Sequence, residues 1–229
     1  MKKSDLFFIL IMAFLVLPFI FIPCLTKFFY TMTAEHGVIM SFLKFAILAT
    51  AGEMLGLRIS KGIYTMPGFG ILSRTIVWGI LGVGISFAMT VFSKGAPAVL
   101  SYIGIQGGAE AFNLSEFSWL KLLVAFTTSL FMNCIFAPIF MTLHKITDMH
   151  ILANNGSLGK FFSKKIDFAK YLSAINWDVQ YKFVFAKTIP LFWIPAHTLT
   201  FMLPPSFRVL FAAFLGVVLG VILSLAARK

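Results

Sequence analysis

Charge is what this sequence has least of: Asp, Glu, Lys and Arg together make up 12% of 229 residues, while 59% are hydrophobic and 28 are Phe. A chain of this size cannot hide so much apolar surface in one water-soluble core, so a soluble globule is excluded and a bilayer is the implied solvent. Cysteine is almost missing. Cys24 and Cys134 both fall inside apolar segments, where a small buried hydrophobe is expected and a disulfide is not. Catalytic constellations are missing as well: His197 is the one plausible base within a span, with no Ser-His, paired-Asp or metal-ligating partner at its depth. His144, Asp148 and His150 lack the i, i+4 histidine spacing of a helical zinc site. No catalytic residue, cofactor or metal is therefore assigned, and the expected protein is not an enzyme.

What is present is a series of apolar windows about 20 residues long, enough to cross roughly 30 Å of hydrocarbon. The pattern predicts an all-α polytopic membrane bundle of about six transmembrane helices, forming one domain over residues 1–229. The expected spans are 6–24, 37–57, 75–92, 118–143, 183–203 and 206–225. The first, after Lys2-Lys3, is longer than a signal-peptide core and lacks small residues for cleavage. The connection from Arg58 to Arg74 holds Pro67-Gly68-Phe69-Gly70, which reads as a turn. Residues 93–116 read as a loop with room for a short helix. In the third span, Gly82, Ser86 and Thr90 share one helical face, which predicts a close helix contact. Pro138 predicts a kink in the fourth. From Lys160 to Ile175, Phe161, Phe162, Ile166, Phe168 and Leu172 alternate with four lysines, the pattern of a basic interfacial helix.

The formal net charge of +11 does not point to nucleic acid, because the basic residues sit between hydrophobic segments and leave no folded basic module. With six spans and both termini on the cytoplasmic side, 13 of the 19 basic residues fall inside, in accord with the positive-inside rule. A prokaryotic cell membrane is the expected location and the lipid bilayer the expected partner.

Polar side chains within the spans carry the functional expectation, since an intramembrane charge costs at least about 2.5 to 3.5 kcal/mol unless it meets a partner or water. Glu53, Asn133, Lys187 and His197 are the candidate polar pathway. Glu53 and Lys187 share a depth near the inner boundary and are expected to pair there; Lys44 is expected to reach out to the interface. Arg208, in the first turn after Pro204-Pro205, is expected to be a structural anchor held by an acid from Glu35, Glu110 or Glu116.

Four stretches occur in an order that resembles a known membrane family. They are Thr50-Ala51-Gly52-Glu53-Met54-Leu55-Gly56, the glycine-rich Gly79 to Lys94, Phe136-Ala137-Pro138, and a C-terminal set of Trp193, Pro195, Phe201, Pro204-Pro205, Arg208-Val209 and Leu223-Ser224. Together they are similar to the Mpv-seventeen and twenty-two-kilodalton peroxisomal membrane protein family. The resemblance covers residues 46–224 and leaves 1–45 as an extra N-terminal span with its approach to the second. Departures include Arg58-Ile59 where the family has Gly-Asp, and Trp193-Ile194-Pro195 where it has Trp-Pro. The resemblance implies an integral membrane channel or transporter for small polar solutes, compatible with a homo-oligomer, or else a non-catalytic assembly protein. An intramembrane enzyme is the third alternative.

Overall fold

Apolar residues run long enough to sustain helices far beyond what local propensity alone would hold, and several of the breaks fall at Pro or Gly, as at Pro23, 67–70 and Pro204-Pro205. The computed structural model describes residues 2–226, apart from the side chains of Leu223 and Ala226. Helix α1 (Lys3–Phe21) carries Pro18 and ends at Ile22, directly before Pro23, which opens α2 (Pro23–Glu35). Helices α3 (Gly37–Lys61) and α4 (Ile71–Tyr102) follow, then α5 (Gly108–Asn113) and α6 (Trp119–Phe131). A π-helical turn, Met132–Phe136, joins α6 to α7 (Ala137–Ala153). After α8 (Leu158–Ser163), α9 (Phe168–Ala174) and α10 (Trp177–Val179), a second π-helical segment, Gln180–Trp193, leads into α11 (Ile194–Met202) and then α12 (Pro205–Ala226).

Among the described residues, five helical stretches are long and apolar enough to cross a membrane: Lys3–Phe21, Gly37–Lys61, Ile71–Tyr102, Trp119–Ala153 and Pro205–Ile222. The chain is an all-α, polytopic membrane protein. Several expected boundaries move: α3 runs on to Lys61 and α4 starts at Ile71, which shortens the expected connection, and α7 continues to Ala153. The stretch expected to be a loop from residue 93 is helical through Tyr102 with Pro97 inside it, because a proline's missing donor is tolerable where neighbouring helices enclose the backbone. The kink assigned to Pro138 is instead a π turn just before it, which inserts a residue into the ladder one turn ahead of the proline.

Helices α3, α4, α6, α11 and α12 close a ring: α3 lies between α4 and α12, α4 reaches α6, α6 packs on α11, and α11 returns to α12. Small residues permit the closest approaches. Gly79 and Gly82 receive the rings of Phe42 and Phe45, and a Cβ at either glycine would overlap them. On the other side of α3, an added Cβ at Gly52 would come within 3.1 Å of the Val217 backbone. The expected close contact at Gly82 is therefore made, whereas Thr90 on the same predicted face is exposed. Phe45, Met89, Val124, Met132, Phe201 and Ala213, drawn from all round the ring, form one continuous core.

The basic stretch near residues 160–175 is not one helix. Ser157 and Asp167 each accept a backbone N–H at the start of a short helix, α8 and α9, splitting it in two. Phe161, Tyr171 and Ile175 are buried against the bundle while Phe162 and Phe168 stay exposed. Both cysteines, expected to be buried, are exposed on the helical surface; in lipid an outward apolar face satisfies a small hydrophobe as well as a core does. Arg228 and Lys229, two of the basic residues assigned to the inner side, lie outside the described residues.

Candidate functional site

At the basic end of the ring, the end of α3, the start of α4 and the middle of α7 converge on Glu53. Its carboxylate accepts three donors from two helices. Arg74 forms an ion pair through Nη1 to Oε2, Trp78 Nε1 donates to Oε1 at 2.9 Å, and His144 Nε2 lies 3.2 Å from that same oxygen. Arg74 also meets Asp148 through Nη2, as a charge contact without hydrogen-bond alignment. Its Nε donates to the Phe69 carbonyl at 2.8 Å, and the Phe69 ring covers the guanidinium at 4.5 Å. Counting formal charges, two carboxylates face one guanidinium, with the His144 imidazole beside them.

Local sequence explains why the network is rigid. Pro67-Gly68-Phe69-Gly70 turns through positive φ at Gly68 (82°) and Gly70 (67°), which L side chains rarely adopt. Gly70 sits against Gly156, so closely that an added Cβ would fall 2.5 Å from the Gly156 Cα. Ser73 Oγ donates to the Gly156 carbonyl at 2.8 Å. The two loops are thereby fastened to each other, and Phe69 is held over Arg74.

A second polar node lies about 16 Å away along α7 and the π turn, the rise of the eleven residues from His144 back to Asn133. Asn133 Nδ2 donates to the Ser129 carbonyl at 2.8 Å, and its Oδ1 lies 3.1 Å from His197 Nδ1. An amide oxygen only accepts, so Nδ1 of His197 carries the hydrogen. Ser129 Oγ donates to the Ile194 carbonyl at 2.7 Å, tying α6 to α11. The Trp193 ring stacks on the imidazole, with centroids 5.1 Å apart. Its buried Nε1 has no hydrogen-bond partner. Both π segments meet at this node.

Between the nodes stands an aromatic section. Phe136, Phe140 and His144 recur every four residues and so share one helical stripe, with Asn133 in the π turn that leads into it. Phe136 and Phe140 are in contact (5.5 Å), and Trp78 touches both Phe140 (6.4 Å) and His144 (4.4 Å).

Of the four pathway candidates, the structure brings Asn133 and His197 together, sets Glu53 in the separate charged network, and leaves Lys187 exposed. The expected Glu53–Lys187 pair is replaced by Glu53–Arg74: sharing a depth does not make two residues neighbours when they point to different sides of their helices. Lys44, expected to reach the interface, is instead buried at 6% exposure, where it donates to Thr33 Oγ1 at 3.0 Å and lies over the Phe29 ring, so a hydroxyl and an aromatic face of α2 take the ammonium in place of water. Arg208 finds no acid among the anticipated ones. Its Nε donates to the Leu203 carbonyl at 2.9 Å and its guanidinium lies 4.4 Å over the Phe112 ring, so carbonyl and aromatic faces do the anchoring. Sequence reasoning weighed His144 and Asp148 only as metal ligands, read Arg74 only as the end of a connection, and passed over Trp78. A signal existed: 74/78 and 144/148 are both i, i+4 pairs, each placing two polar or aromatic groups on one face. Compared with known protein families, curated proteins and solved structures, the chain matches none of them.

Proposed function

We propose that this polytopic membrane protein conducts small polar solutes, and that the arrangement described is its closed state. The observation that carries the reading is the succession along one helical stretch of a buried polar node, the aromatic section of Phe136, Phe140 and Trp78, and a largely buried charged node. In this reading the aromatic section is the constriction, and the Glu53 network is the inner mouth. Asn133, His197 and the free Trp193 N–H offer a passing solute hydrogen bonds that lipid cannot. Residues 177–202 supply the sixth crossing, both termini lie on the cytoplasmic side of a prokaryotic cell membrane, and no catalytic step is assigned. The motif resemblance to the Mpv-seventeen type family points the same way.

The test is solute efflux from liposomes carrying the purified protein, with small neutral and anionic solutes in parallel. Phe140→Ala should raise efflux by opening the constriction, and Lys187→Met should leave it at the wild-type rate. Efflux equal to that of empty liposomes, for wild type and Phe140→Ala alike, would favour the assembly role instead. That second reading draws on the fact that Glu53 already has three donors, as a purely structural carboxylate would.

A further inference from the structure

Helix α1 has no buried residue, yet it is tied to the bundle at both ends. At its start, Asp5 receives Arg58 Nε at 2.6 Å and Nη2 at 2.9 Å, and Tyr64 donates to the same carboxylate at 3.2 Å. Phe8 stacks on the Tyr64 ring with centroids 4.6 Å apart. At the far end the chain bends into α2 at Ile22-Pro23, with Thr26 Oγ1 donating back to the Phe19 carbonyl at 2.8 Å. Helix α2 is then fixed by Tyr30 against Phe207 and by the Lys44–Thr33 hydrogen bond. The middle of α1 is left standing off the ring.

The space behind it is a slot of about 730 Å³ whose lining side chains are all apolar. Phe8, Met12 and Val16 form the α1 wall, and Leu48, Ala51 and Leu55 the α3 wall. Both sets recur at helical spacing, so each is one continuous stripe. Phe207, Phe211 and Phe214 of α12 make the third wall, and Leu203-Pro204 closes one end.

At about 30 Å³ per molecule the slot would hold roughly two dozen waters, none with the two to four polar partners a buried water needs. Left empty, it would forfeit dispersion contacts along three helices. The occupant must therefore be apolar, elongated and available within a bilayer.

We propose that this slot holds one acyl chain of a membrane phospholipid, lying lengthwise between α1 and the α3–α12 face. The two ties make it a retained lipid and not a passing one, since the chain cannot leave sideways without α1 swinging out. This inference is independent of solute conduction.

The experiment uses the full-length protein in phosphatidylcholine vesicles containing a phosphatidylcholine with a mid-chain diazirine. Photolysis is followed by mass mapping of the labelled residues. Label should concentrate on Val16, Ala51 and Phe211, and should persist there after the vesicles are exchanged into unlabelled lipid. Leu10 and Phe14, on the open face of α1, should lose theirs on exchange. Ala51→Trp plugs the slot and should abolish the persistent label while leaving that of Leu10 and Phe14 before exchange unchanged. Val16→Trp plugs it from the α1 side, should Ala51→Trp fail to fold. Asp5→Asn, which releases the inner tie, should convert persistent label into exchangeable label. Slot labelling that washes out as fast as that of Leu10, that survives a plug in folded protein, or that is replaced by crosslinks to a second copy of the chain overturns the proposal.

Discussion

Replacing Arg74 with Met tests whether the network around Glu53 is a linked unit or a set of separate contacts. The Arg74 side chain is 8% exposed and the Glu53 side chain 20%, so the pair is largely withdrawn from solvent. Removing one member of a buried pair costs about 3 to 5 kcal/mol, mostly from the uncompensated charge left behind. Arg74→Met leaves Glu53 and Asp148 facing each other with His144 as the only remaining cationic candidate, so its cost should lie near the top of that range. Glu53→Gln keeps an acceptor for Trp78 and leaves Arg74 with Asp148; its cost should be nearer 1 to 2 kcal/mol, roughly the value of charge-assisted over neutral hydrogen bonding. The double variant has neither the stranded carboxylate at position 53 nor the guanidinium, so it should be more stable than the sum of the two losses predicts, by about 1 to 3 kcal/mol. Equilibrium unfolding in mixed detergent micelles, read by Trp fluorescence, gives all four corners of the cycle. Losses that add to within about 0.5 kcal/mol would refute the coupling and with it the idea of a single charged mouth.

The α4 glycines provide a matched series in the same assay. Gly82→Ala forces a methyl into the Phe45 ring and should destabilise by about 1 to 3 kcal/mol, with Gly79→Ala close to it through Phe42, whereas Gly84, with open space around it, should change by less than about 0.5 kcal/mol. Asn133→Leu strands the His197 Nδ1 hydrogen at a site where Asn133 is 1% exposed; a loss of about 1 to 3 kcal/mol is expected. A cost below about 0.5 kcal/mol would mean that the imidazole finds another acceptor, which a changed tautomer in nitrogen NMR would reveal.

The sequence alone was sufficient for class and layout. Few charges and repeated apolar windows dictate a membrane bundle because lipid requires each span to satisfy its own backbone, and helices do so locally. The break at Pro67-Gly68-Phe69-Gly70 and the restart at Pro205 were legible for the same local reason. Azimuth and neighbour were not. Glu53 takes Arg74 and not Lys187 because the ring order sets α4 beside α3, and that order depends on which glycine faces admit which phenylalanines. Arg208 rests on Phe112 and a carbonyl because an aromatic face can take the place of a carboxylate, a choice invisible until the helices are set side by side. Asn133 lies inside the first π segment and His197 follows the second, which shifts the residues after it around their helix. Such a shift leaves no mark in hydropathy, since it alters direction and not composition; only the packing of one helix on another could decide it.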